Sequence, residues 1–421
     1  MKLFSCARAA IVVAAMVTIA NGATVVMQAL SSFGGGDGWL ATGEAPPDMS
    51  SSVLTAGNTE RGLAYSRNSN HLYVASRAEA PGHIYVLDAT TGNRVGELNI
   101  DFAIVNGGLF TLNMVRVGAD GAIYVGNLTD NTGSASKPFK VYRWIDEASQ
   151  PELVFSGDGG LATPSTRLGD TLDVIGGGAN TLLVAGYGNT TAITGENGYY
   201  LIRPDVANPT ASAVLVNGTG DGDFRSGVTF LDEFTVWGTS GGSGVRRTKY
   251  SGTVGGVIAG TLEGTLNLTG NNERAMDYAV INGVPLLATI ESSTGNRVHI
   301  YDVSDPAVRL ELASMDLSTF FTTNANGTGS IAWGNISGNT ATLYAMNTNN
   351  GIQAFSIQVV PEPAGAALLI VAAGFVQFMR RRPPFSAQTS GQISATLRPV
   401  YHSRFPLQAR RTEISDRASP L

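Results

Sequence analysis

Of the 421 residues, 14% are charged, 52 are glycine and one is cysteine. Residues 1–22 and 380–421 hold ten of the 27 basic groups but two of the 33 acidic ones, so residues 23–379 carry 17 basic against 31 acidic, a formal −14. Such a surface excludes nucleic acid as a partner, because that binding needs phosphate neutralisation by Lys and Arg. The low-charge, Gly/Thr/Asn-rich composition fits a secreted β protein of one large domain or two small ones.

At the N-terminus, Lys2 and Arg8 precede an apolar stretch from Ala9 to Ala20, and Ala20-Asn21-Gly22 places small residues where signal peptidase reads. Residues 1–22 are therefore predicted to be a secretory signal peptide cut after Gly22. The apolar core is too short for a membrane anchor. Cys6 lies ahead of that core and leaves with the signal, so thiol catalysis, disulfides and cysteine-ligated metals are excluded from the mature chain.

From Leu63 onward the chain repeats a set of short apolar strands six times, with first strands beginning at Leu63, Met114, Leu172, Gly227, Met276 and Ile331. β-branched and aromatic residues fill the strands, and Asp120-Gly121 and Asn282-Gly283 supply hairpin turns that need positive φ. The fourth unit shows a weak third strand near Tyr250 and a fourth at Gly256–Ala259. The sixth lacks a fourth strand, which Thr24–Leu30 could supply to close the ring and remove unpaired edges. This period predicts an all-β fold over residues 23–359, a single β-propeller of six blades, with seven as the alternative if residues 24–58 hide another.

Asn58-Thr59-Glu60-Arg61-Gly62-Leu63-Ala64-Tyr65 is echoed by Asn271-Asn272-Glu273-Arg274-Ala275-Met276-Asp277-Tyr278. Both octets enter an innermost strand, at the expected mouth of the central channel, so Glu60, Arg61, Glu273 and Arg274 are the candidate ligand-binding ring. The same pairs could instead tie one blade to the next. If the arginines act, the ligand is anionic, such as an acidic exopolysaccharide. Asp221 and Asp223, on the glycine-rich loop Asn217–Asp223, are a poor match to a Ca²⁺ site and could equally form a solvated turn. Gly238-Thr239-Ser240-Gly241-Gly242 matches a nucleophile elbow in letters only, since no helical pattern follows the serine. His71, His83 and His299 lack metal-ligand spacing. The Asn-x-Ser/Thr sequons from Asn127 to Asn335 reflect turn composition. No cofactor motif is present, and no catalytic residue is assigned.

The chain then reaches Pro361-Glu362-Pro363, an apolar run from Ala364 to Met379, and Arg380-Arg381-Arg382. The prolines stop the preceding strand, and the arginines resemble a cytoplasmic flank. This order resembles the PEP-CTERM sorting signal of Gram-negative bacteria, here over 360–382. The resemblance implies export, inner-membrane retention through a helix at 364–379, cleavage by an exosortase-type sorting protease, and a final place at the cell surface or in the extracellular matrix. Residues 383–421 form a basic tail without apolar periodicity, expected to be disordered, and depart from that pattern. The function expected is an exported, non-enzymatic glycan- or protein-binding or structural propeller. The alternative is a lyase- or lactonase-like propeller enzyme with an acidic channel site that could hold Ca²⁺.

Overall fold

The computed structural model describes residues 23–44, 53–131, 137–161, 166–188, 196–242, 244–268, 272–306 and 308–360. The predicted signal peptide, the PEP-CTERM-like segment from Pro361 with its expected membrane helix, and the tail lie outside the described residues. Two compact units divide the chain, Met1–Ala364 and Gly365–Leu421, and every described residue belongs to the first.

The strands, numbered in chain order, begin with β1 (Thr24–Ala29) and β2 (Trp39–Leu40). A first set follows in β3 (Gly62–Ser66), β4 (His71–Ser76), β5 (His83–Asp88) and β6 (Arg94–Glu97). The second is β7 (Phe110–Val117), β8 (Ile123–Leu128), β9 (Phe139–Trp144) and β10 (Glu152–Gly157), and the third β11 (Asp173–Ile175), β12 (Leu182–Gly186), β13 (Glu196–Arg203) and β14 (Thr210–Asn217). The fourth is β15 (Gly227–Asp232), β16 (Thr235–Thr239), β17 (Val245–Ser251) and β18 (Ala259–Leu266), and the fifth β19 (Glu273–Ile281), β20 (Val284–Glu291), β21 (Val298–Asp302) and β22 (Leu310–Met315). The last comprises β23 (Gly329–Ser337), β24 (Thr340–Asn347) and β25 (Gly351–Val360).

Consecutive strands of each set pair antiparallel. The third and fourth sets share one eight-stranded sheet, but a single parallel bridge, Val216 to Gly260, joins its halves. β1 pairs antiparallel with β25 from Thr24↔Val360 to Ala29↔Phe355, the closing strand expected from the sequence. The described part of residues 24–58 gives only β1 and β2 to this last sheet, and β2 pairs with β25 through Trp39↔Gln353 and Leu40↔Ile352.

The first strands β3, β7, β11, β15, β19 and β23 neighbour one another in a closed circuit. Apolar seams fill the wedges between sets. Tyr73, Ile84 and Val86 of the first set meet Ile123, Tyr142 and Trp144 of the second, and Ile352, Ala354 and Met346 of the last meet Leu63, Leu72 and Val74 of the first. The arrangement is all-β and propeller-like. Among the described residues there is no α-helix, and no helix is long and apolar enough to cross a membrane.

Glycine sets how closely the first strands approach at the end where they begin. A Cβ on Gly227 would lie 1.9 Å from the Arg274 carbonyl oxygen, and one on Gly62 would lie 2.6 Å from the Val115 nitrogen. One strand differs from expectation. The fourth strand of the fourth set runs over Ala259–Leu266, not Gly256–Ala259. Gly252 and Gly255 have positive φ and turn the chain there, and Val257, the apolar residue that suggested a strand, is 95% exposed.

Candidate functional site

The segments that lead into or open β3, β11, β15 and β19 bring Arg61, Asp170, Arg225 and Arg274 close to one another. In an extended chain successive side chains point to opposite faces, so neighbouring residues of an entry loop part company. Glu60 turns into its own sheet. Its carboxylate accepts from Ser76 Oγ and Thr59 Oγ at 2.8 Å each and from the Thr55 N–H at 3.3 Å. Glu273 does the same, accepting from Thr289 Oγ and, at 2.9 Å, from Tyr301 Oη. Both glutamates are buried, and burial raises the Glu60 carboxyl above the usual range against the pull of its hydrogen bonds. The two carboxylates therefore bond within their own sets, whereas the sequence reading has each pair either facing a ligand or tying one blade to the next.

The arginines go the other way. Arg61 is buried, its guanidinium 5.0 Å from the Phe110 ring centroid, and its Nη1 lies 3.7 Å from Asp170 Oδ1. Arg167 grips the same carboxylate with both arms, Nε to Oδ2 at 2.5 Å and Nη2 to Oδ1 at 2.8 Å. Arg225 adds Nε to Oδ2 at 2.9 Å. Burial pushes the Asp170 carboxyl up, but the hydrogen bonds and charges of Arg167 and Arg225 outweigh it and hold the group below the usual carboxylate range.

Beside Asp170 lies a cavity of about 390 Å³ lined by Asp221, Arg225, Ser226, Ser240, Arg274 and Asn326 among others. Arg274 Nη1 donates to the Asn326 carbonyl at 3.0 Å, while its Nε is buried without a hydrogen bond, as is Nε of Arg61, whose Nη1 has only the ion pair with Asp170. Burial lowers both guanidinium groups below their ordinary value and Arg225 lowers them further, with Asp170 opposing. A bound anion would offset this cost of holding like charges together.

Asp221 lines the cavity, with Asn197 Nδ2 at 3.4 Å. Asp223 instead accepts from Arg246 Nε at 3.0 Å and from the Gly220 N–H at 2.8 Å. Among the described residues no group of three or more His, Cys, Asp or Glu is placed to hold a metal ion. Ser240 directly follows β16, and among the described residues no helix follows it as a nucleophile elbow requires. The three histidines lie against carboxylates: His71 on Glu147 at 2.7 Å, His83 on Glu97 at 3.1 Å, and His299 between Glu291 at 3.3 Å and Glu311 at 3.0 Å.

Farther along the first strands, Arg116 bars the channel. Its Nη1 donates to the Leu63 carbonyl at 2.9 Å and to Ser330 Oγ at 2.8 Å, and its Nε lies 3.4 Å from Asp173 Oδ1. A second cavity, about 140 Å³, is lined by Tyr65, Arg116, Asp173, Asp277 and Trp333 among others. Each carboxylate there ties one set to the next, Asp173 accepting from the Phe230 N–H at 2.8 Å and Asp277 from the Trp333 N–H at 2.7 Å. Burial, then the charge of Asp173, pushes Asp277 up to about 7.

No protein-family model and no curated protein matches the chain. Solved structures do resemble it. A DUF4623 family protein from Bacteroides eggerthii superimposes with a TM-score of 0.53 at 17% identity, covering 73% of this chain and 72% of its own. That likeness is one of fold. The WD40 β-propeller domain of Doa1 aligns at a TM-score of 0.42 and 12% identity over 80% of this chain and 93% of its own. A gluconolactonase from Xanthomonas campestris aligns at 0.40 and 13% over 72% and 86%.

The sequence did not single out Asp170, Arg167, Arg225 or Arg116. Arg225 had a signal: it precedes Val228 by three residues, much as Arg61 precedes Leu63 and Arg274 precedes Met276 by two. Asp170 had none, because its role arises only where the loops meet.

Proposed function

We propose that residues 23–360 form a six-bladed β-propeller that binds an anionic ligand at the mouth of its channel, and that it acts as a non-enzymatic binding protein of the cell envelope or extracellular matrix. The five four-stranded sets and the last set of three, completed by β1, support the blade count. The observation that carries the ligand reading is the gathering of Arg61, Arg167 and Arg225 on the Asp170 carboxylate beside a cavity that Arg274 also lines, with buried guanidinium nitrogens left without a hydrogen bond. An acidic exopolysaccharide is the ligand class. The signal peptide and the PEP-CTERM-like segment Pro361–Arg382 support export, membrane retention and release by an exosortase-type protease.

The test is titration of a polyuronate into the full-length protein and into Arg225→Ala/Arg274→Ala. The parent should bind, more weakly as salt is raised, and the double variant should lose at least about tenfold, as expected when charge-assisted hydrogen bonds are removed. Equal binding by the two proteins would end this reading. Release is tested separately by mass spectrometry of secreted protein, which should end near Pro361; a C-terminus intact beyond Arg382 would refute processing.

A second reading is favoured by the lower cavity, where Asp277, raised to about 7, sits with Asp173. Such a pair suits general acid–base catalysis and would support the lyase- or lactonase-like alternative. Lactone hydrolysis abolished by Asp277→Asn would establish it, and absence of any turnover in the parent protein would remove it.

A further inference from the structure

Resting on the anion reading of the channel mouth, we propose that the ligand is a polyhydroxylated monocarboxylate, a uronic or aldonic acid or the uronic end residue of a chain. Its carboxylate sits on Arg225 and Arg274 and its hydroxyls donate to Asp221. Arg225 spends Nε on Asp170, so its two terminal nitrogens remain as the edge that meets a carboxylate bidentately. Arg274 adds its positive charge from the same wall, and Arg61 stands beside Asp170 with Nη1 3.7 Å from Oδ1.

The rest of the lining argues against a simple dianion. Asp221 and Asp170 bring negative charge to the same cavity, and a second charge on the ligand would meet them. A sugar hydroxyl turns that feature to advantage, because a carboxylate is a strong acceptor for it. Ser226, Ser240, Asn326 and Thr328 surround the space with further hydroxyl and amide groups, and among the described residues no aromatic ring lines it. Recognition therefore runs through charge and hydrogen bonds, without stacking on a sugar face. At about 390 Å³ the cavity lies at the small end of ligand pockets, which run from roughly 300 to 1,000 Å³, so it suits a small molecule or a chain end.

The experiment is calorimetric titration of the full-length protein with glucuronate, glucose, inorganic phosphate and oligogalacturonates of increasing length. Glucuronate should bind at least about tenfold more tightly than glucose, the scale of one charge-assisted contact, and more tightly than phosphate. Affinity per chain should stop rising after the first residues if a chain end is taken. In Asp221→Asn, the preference for glucuronate over phosphate should fall by roughly tenfold, with folding checked by thermal melting. Phosphate equal to or tighter than glucuronate would overturn the monocarboxylate while leaving an anion site in place. Affinity that grows steadily with chain length would overturn end recognition. No binding of any anion would overturn the proposal together with the reading on which it rests. The ligand series on the parent protein decides the matter even if Asp221→Asn fails to fold.

Discussion

Asp277 lies in the channel among groups from several first strands: Tyr65 on β3, Arg116 on β7, Asp173 on β11 and Trp333 on β23. Its folded pKa of about 7 stands above the ordinary 3.8 of an unfolded aspartate. Between those values the folded state holds a proton that the unfolded state has lost. Stability from this group is therefore full below about 4 and falls as pH rises towards 7, with a slope of at most about 1.4 kcal/mol per pH unit. The melting temperature of the parent minus that of Asp277→Asn, measured from pH 4 to pH 8, should decline through this window. A flat difference would show that the carboxyl ionises normally. At the same scale, side-chain alternation divides the twin octets. Glu60 and Arg61 are adjacent in an extended chain and cannot both face the channel, so a period-two reading of the octets selects one of each pair. Which one it selects was not legible, because the answer lies in the strand partners Ser76 and Thr289.

Those partners belong to a pattern at the scale of the element. Ser76 follows Glu60 by sixteen residues and Thr289 follows Glu273 by sixteen, and each reaches back from the second strand of its set to the entry of the first. Removing either hydroxyl leaves a buried carboxylate short of a donor. Ser76→Ala and Thr289→Val should each cost about 1–3 kcal/mol in denaturant unfolding, with little change in anion titration. The reverse outcome, lost titration without lost stability, would return the glutamates to the ligand site. The closing strand was legible from a simple deficit, since a unit with three strands called for a fourth near Thr24. In β1, Val25 and Met27 face the core while Val26 is exposed. Met27→Asp should therefore cost roughly 2–4 kcal/mol by burying a charge, against less than about 0.5 kcal/mol for Val26→Asp. Similar costs for the two would mean that β1 does not close the sheet.

Over the whole ring, hydrophobic repetition was readable because every set must bury the same two faces against its neighbours, and Trp144 and Trp237 lie fully buried in such seams. The mouth was only half readable. Arg61 and Arg274 are near-copies in sequence, whereas Asp170 and Arg225 acquire meaning from loops that meet across the ring. Ring closure also has a mechanical side. Thr24 pairs with Val360, so the chain comes into the ring and leaves it at adjacent points on one edge. Tension applied between residues 23 and 360 would meet the β1–β25 ladder from its end and part it one rung after another. Each rung contributes only about 0.5–1.5 kcal/mol net, so the clasp should open stepwise at low force. Force applied between β8 and β20 would have to move whole seams at once and should require far more. Single-molecule pulling along the two directions would distinguish them, and the weak direction is the one in which any tether on both ends would load the ring.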